Sequence, residues 1–154
     1  MPTLDGAKSV LLVEDNNDDV FFVRKAFEKA DVANRLDVAA DGQQAIDYLS
    51  GNGQYADRTA YPLPSVVILD LKLPGVWGMD VLKWIRANPA LRAMPVVIFT
   101  GSDDAADARN AFLCGANSYF QKPSNLENFY SLIPSFCEFW LKWNRLPSFE
   151  AASS

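Results

Sequence analysis

The sequence contains no histidine, which removes Ser-His-Asp and Cys-His catalysis, His-ligated zinc and any phosphohistidine carried by the chain itself. Cysteine is scarce. Cys114 and Cys137 are the only two, they form no CxxC pair, and their apolar surroundings predict buried thiols rather than a disulfide or a metal site. Positive charge is in the minority, with 14 Lys and Arg against 19 Asp and Glu. No broad positive field is therefore available for nucleic-acid phosphates or anionic lipid, and direct DNA binding is not expected. Long apolar runs are missing too. None approaches the ~20 residues that span a bilayer, and residues 1–8 lack the basic-then-apolar order of a signal peptide. A cytoplasmic location is the expectation.

What is present reads as one globular core. The chain has 154 residues, 49% hydrophobic and 21% charged, too apolar and too mixed for disorder and of single-domain size. Residues 9–146 are expected to form the domain, with short tails at 1–8 and 147–154. Short apolar runs alternate with helical patterns. Runs at 9–13 (SVLLV), 65–69 (SVVIL) and 95–99 (PVVIF) suit strands buried on both faces of a parallel sheet, and 35–39 and 118–121 supply two more. Apolar residues at helical spacing predict helices from Asp18 and Asp19 to about residue 30, around Ala45, Ile46 and Leu49, over 79–88, over 105–113, and from about 125 to 143. Residues 51–64, rich in glycine, proline and polar side chains, are longer than the usual connection of about 2–6 residues and form the main insertion. Five βα units without internal repeat predict an α/β fold, a doubly wound five-stranded parallel sheet with helices on both faces.

Ligands of such a sheet bind beyond the carboxyl ends of the strands. Those ends carry Glu14 and Asp15, then Asp70, Thr100 and Lys122. One acid after one strand is ordinarily a turn or cap residue, but joint placement at one mouth points to chemistry. Three carboxylates gathered together repel, and an oxygen-rich acidic cluster of this kind suits a hard divalent cation such as Mg²⁺.

These residues resemble the receiver domains of two-component response regulators over nearly the whole chain. The resemblance rests on the pair Glu14-Asp15, on Asp70 within Ile68-Leu69-Asp70-Leu71-Lys72-Leu73-Pro74, on Thr100-Gly101 and on Lys122-Pro123. The 51–64 insertion and the ending Phe139-Trp140-Leu141-Lys142-Trp143 look more like the stand-alone regulators paired with bacterial phytochrome kinases. The resemblance implies that Asp70 accepts a phosphoryl group from a sensor histidine kinase, with Mg²⁺, for which Mn²⁺ could substitute. The metal would be held by Asp15 directly, by Glu14 through water, by Asp70 and by the Lys72 backbone carbonyl. Lys122 would pair with carboxylate and then with phosphoryl oxygen, the Thr100 hydroxyl would turn inward, and Tyr119 would act as a switch. Pro123 would follow a cis peptide bond. On this reading the chain is not an enzyme beyond its own phosphorylation and dephosphorylation, and it signals by protein contact or phosphorelay.

Two residues depart from the pattern: Glu14 stands where aspartate is usual, and Lys72 would overhang the phosphoryl group. Pro134 should kink the last helix. A flavodoxin-type cofactor binder shares the architecture, but the acidic stretch 14–19 would repel a flavin phosphate. A phosphatase using an aspartyl phosphate would place an acid where Lys72 stands. A scaffold role does not need the complete polar set. The last helix carries a core stripe of Leu126, Phe129, Leu132, Ile133, Phe136, Trp140 and Trp143, leaving Tyr130, Phe139 and Leu141 off it. A homodimer through the fourth helix, fifth strand and last helix is therefore expected, the alternative being that Trp140, Trp143 and residues 146–149 fold back over the sheet's edge.

Overall fold

The computed structural model describes residues 8–147 and 149. Its strands are β1 (Ser9–Val13), β2 (Arg35–Ala39), β3 (Val66–Leu69), β4 (Val96–Thr100) and β5 (Ser118–Gln121), all parallel, in the order β2-β1-β3-β4-β5. Between them run α1 (Asn17–Lys29), α2 (Gly42–Ser50), α3 (Gly78–Ala87) and α4 (Ala105–Leu113), and α5 (Leu126–Cys137) follows β5. Because neighbouring side chains on a strand face opposite ways, β1 serves two cores. Val10 and Leu12 pack with Val23 and Phe27 of α1 and Phe129 and Ile133 of α5. Leu11 and Val13 pack with Tyr48 and Leu49 of α2, Leu82 and Ile85 of α3 and Ala111 of α4. The order reverses at β1, whose neighbours are β2 and β3, and that reversal opens the crevice at the carboxyl ends.

The expected elements are present within a residue or two, and the differences cluster at the last helix. The α-helix runs through Pro134 and ends at Cys137, and a π-helical segment, Glu138–Trp143, carries on from it. Asn144 N–H donates to the Phe139 carbonyl five residues back, at 2.8 Å. The longer repeat rotates the apolar face. Leu141, expected off the stripe, is buried five residues after the buried Phe136, whereas Trp143 and Leu126, expected on it, are exposed. Tyr130 is half-buried beneath the Lys29 ammonium, 4.6 Å from the ring centroid. Cys137 is buried as expected, and Cys114 is only half-buried.

The 51–64 insertion is tied down by polar contacts along the β2 edge. Arg35 grips Asp37 with two hydrogen bonds and also reaches the Ala60 carbonyl. The Tyr48 hydroxyl lies within hydrogen-bond distance of Asp37 Oδ2 and donates to the Pro62 carbonyl at 2.9 Å. Arg58 donates to the carbonyls of Tyr48 and Leu49, at 2.7 and 3.0 Å, satisfying the carboxyl end of α2. Tyr48, Tyr55 and Tyr61 stack edge to face or tilted around this contact. An otherwise bare strand edge is thereby covered. Among the described residues no helix is long and apolar enough to cross a membrane.

Candidate functional site

Each strand delivers its polar residue to the crevice for a local reason. β1 ends where apolar residues give way to Glu14 and Asp15, and Asn16 then caps α1 by accepting from the N–H groups of Asp18 and Asp19. The backbone of Asp70 is fixed at both sides. Its N–H donates to the Val13 carbonyl at 3.1 Å, and Gly78 sits so close that a Cβ there would collide with the Asp70 carbonyl oxygen. Gly42 is similarly crowded by the Val76 carbonyl. Thr100 closes β4, and its carbonyl accepts the Lys122 N–H at 2.7 Å, which sets the height at which the lysine leaves β5.

The Lys122 ammonium is the centre of the site. It lies 2.7 Å from Glu14 Oε1, 2.7 Å from Asp19 Oδ2 and 2.9 Å from Asp70 Oδ2. Burial alone would lower its pKa, but these hydrogen bonds and charges carry it well above the usual lysine range. Glu14 and Asp70 are buried and Asp15 is exposed. Burial pushes the Glu14 carboxyl up to about 7, the Lys122 hydrogen bond opposing and the Asp70 charge adding to the rise. The second Glu14 oxygen accepts the Asn16 N–H at 3.2 Å, so the extra methylene of glutamate lets one carboxylate hold both the lysine and the start of the β1–α1 loop.

Glu14, Asp15 and Asp70 can each offer one oxygen so that the three lie within 4.8 Å of one another. An all-oxygen set of this kind fits a hard divalent cation. The Lys72 N–H approaches Asp70 Oδ1 at 3.3 Å, and its side chain is exposed. The Thr100 hydroxyl is fully buried and has no hydrogen-bond partner among the described protein groups. Gly101 beside it leaves open space. Tyr119 is half-buried, its hydroxyl donating to the Ser102 carbonyl at 3.2 Å, and the Ser102 hydroxyl donates to Asp107 at 2.6 Å. This loop ties the threonine strand to α4.

One expectation is corrected. The Lys122–Pro123 peptide is trans, no cis bond occurring among the described residues. Trans is the lower-energy form by about 0.5–1 kcal/mol, and the lysine reaches all three carboxylates from it. One site residue was missed: Asp19 looks from sequence like an ordinary acid at a helix amino end, and only the tertiary packing of α1 against α5, which brings its first turn to the end of β5, turns it to the lysine.

Residues 10–133 match the response regulator receiver domain family. Over 141 residues the chain is 40% identical to the "Probable methanogenesis regulatory protein FilR2" of Methanothrix harundinacea (strain 6Ac), spanning 90% of this chain and 86% of that one. Over 141 residues it is 32% identical to response regulator Rcp1 of Synechocystis sp., spanning 92% and 94%; a solved Mn²⁺-bound form of Rcp1 superposes with a TM-score of 0.83. The phosphorylated cyanobacterial phytochrome response regulator RcpA superposes with a TM-score of 0.86 at 32% identity, covering 92% of this chain and 99% of that one. Phosphorylation on aspartate is typical of this family, and its members bind divalent metal at an acidic pocket. Sequence, fold and crevice agree, and the chain belongs to the response regulator receiver domains, among the relatives of the phytochrome response regulators.

Proposed function

We propose that Asp70 accepts a phosphoryl group from the phosphohistidine of a sensor histidine kinase, a bacteriophytochrome being the kind that the likeness to phytochrome regulators favours. The observation that carries this reading is the buried Asp70 carboxylate held at 2.9 Å from the Lys122 ammonium beside Glu14 and Asp15. An Asp70 carboxylate oxygen attacks phosphorus, the phosphorus–nitrogen bond breaks, and the departing imidazole takes a proton. Mg²⁺, or Mn²⁺ in its place, held by Glu14, Asp15, Asp70 and the Lys72 backbone carbonyl, would neutralise charge on the carboxylates and the incoming phosphoryl oxygens. Lys122 supplies fixed positive charge to a phosphoryl oxygen. The partnerless Thr100 hydroxyl supplies a donor only when such an oxygen arrives, and its inward turn frees Tyr119 to leave the Ser102 carbonyl. The chain then performs no chemistry on other substrates and signals by protein contact or onward phosphotransfer, in the cytoplasm and without nucleic acid.

The test is incubation with Mg²⁺ and acetyl phosphate. Wild type should gain one acid-labile phosphoryl group and Asp70→Asn none; stable labelling of Asp70→Asn overturns the assignment. Asp15→Asn should weaken Mg²⁺ binding and labelling together.

The same reading extends to a homodimer through α4, β5 and α5. Phe112, Leu113 and Phe139 are exposed, and Phe120, Leu132, Phe136, Phe139 and Trp140 line a groove of about 400 Å³ along the β5 edge. Sedimentation across a dilution series should show a dimer that Phe139→Glu dissolves, and a strict monomer at high micromolar concentration contradicts it.

A further inference from the structure

We propose that Asp19 is a positioning residue for phosphoryl transfer, the anchor that keeps Lys122 aimed at Asp70 once a cation has claimed the other carboxylates. The inference rests on the reading of Asp70 as phosphoacceptor.

An ammonium has three N–H donors, and here all three have takers: Glu14 at 2.7 Å, Asp19 at 2.7 Å and Asp70 at 2.9 Å. Two of those partners belong to the acidic trio whose oxygens converge for a metal, whereas Asp19 is outside it. A cation drawn into that trio competes with Lys122 for Glu14 and Asp70 and leaves Asp19 alone. Asp19 is therefore the lysine's one metal-independent partner among the described residues. Without it, the four-carbon lysine arm would be released as the cation enters, at the moment its charge is needed.

Both ends of the contact are held by backbone. The Asp19 N–H donates to the Asn16 side chain at 3.2 Å, which fixes the third residue of α1, and the Lys122 N–H is fixed to Thr100 at 2.7 Å. The Asp19 and Lys122 side chains are only 18% and 13% exposed, so the pair is shielded from the screening that makes surface ion pairs weak. The neighbouring Asp18 shares the helix terminus and the charge, but it is exposed and makes no contact with Lys122 among the described ion pairs. Helix-end electrostatics can thus be separated from lysine anchoring.

The experiment compares wild type, Asp19→Asn, Asp18→Asn, Lys122→Ala and Asp19→Asn/Lys122→Ala with Mg²⁺ and acetyl phosphate, reading the rate at saturating donor and the donor concentration for half-maximal rate. Asp19→Asn should lower the saturated rate about 5–20-fold, within the range of direct pairwise coupling. The half-saturating concentration should stay within about twofold, Asp18→Asn should behave as wild type, and Asp19→Asn should have no further effect in Lys122→Ala. Independently of activity, the Lys122 ammonium resonance in ¹⁵N NMR should persist in the Mg²⁺-loaded wild type and broaden away in Asp19→Asn. The proposal is overturned by an Asp19→Asn rate within twofold of wild type, by an equal loss in Asp18→Asn, by an undiminished loss in the Lys122→Ala background, or by a lysine resonance unaffected in Asp19→Asn. Failure of wild type to label at Asp70 would instead overturn the phosphoacceptor reading.

Discussion

Two polar clusters stand at different parts of the sheet, one along the β2 edge under the 51–64 insertion and one at the carboxyl-end crevice, and they are built in opposite ways. At the β2 edge, Arg35 is matched by Asp37, Arg58 by carbonyls, and Tyr48 by Asp37 and Pro62. Charges there meet partners and the assembly closes a strand edge. In the crevice, three carboxylates share one ammonium, Glu14 is pushed toward neutrality by burial, and the Thr100 hydroxyl is buried without a partner. At the β2 edge the polar groups satisfy one another, whereas the crevice crowds like charge around one ammonium, an arrangement that an incoming cation would relieve.

The sharpest way to separate the two clusters is to remove one cation from each. Lys122→Ala should slow phosphorylation by about 10²–10³-fold, the scale for losing one fixed donor to developing charge. It should also raise Mg²⁺ affinity, because the lysine no longer occupies carboxylate oxygens; reduced Mg²⁺ affinity in a tryptophan-fluorescence titration would break that account. Gly78→Ala comes next, since its Cβ would collide with the Asp70 carbonyl and the start of α3 must move. A loss of about 1–3 kcal/mol in urea unfolding is expected, together with slower labelling.

Arg58→Ala should cost about 1–3 kcal/mol by removing the guanidinium donor from the Leu49 carbonyl and leaving the Tyr48 carbonyl with the Gly51 N–H alone, with phosphorylation within about twofold of wild type. An equal loss of phosphorylation would erase the distinction between the clusters. The smallest effect is Thr100→Val. Removing a buried hydroxyl that has no partner should leave resting stability unchanged or raise it by about 1 kcal/mol, while shortening or uncoupling the phosphorylated state. A destabilisation above that size would mean the hydroxyl is already bonded.

The same contrast explains what could be read from the sequence. Strands such as Val66–Leu69, apolar throughout and ended by Asp70, announce a buried parallel strand and the polar residue at its carboxyl end, so the fold and the gathering of Glu14, Asp15, Asp70, Thr100 and Lys122 at one mouth were legible from local pattern. Asp19 was not, because its contact with Lys122 depends on how α1 packs against α5, and an acid near a helix start has a sufficient local explanation. Leu141 was misplaced for a related reason. Phe136 and Trp140 satisfy an ordinary helical repeat, and nothing local declares that the hydrogen bonds after Cys137 lengthen to five residues.

The central claim, that Asp70 is the phosphoacceptor, is tested most directly by trapping. Protein treated with Mg²⁺ and acetyl phosphate is reduced with borohydride, which converts an aspartyl phosphate to homoserine, and its peptides are weighed. Homoserine at position 70 alone, dependent on Mg²⁺, is the predicted result; homoserine at another aspartate, or none in a protein that has gained phosphate, would contradict it.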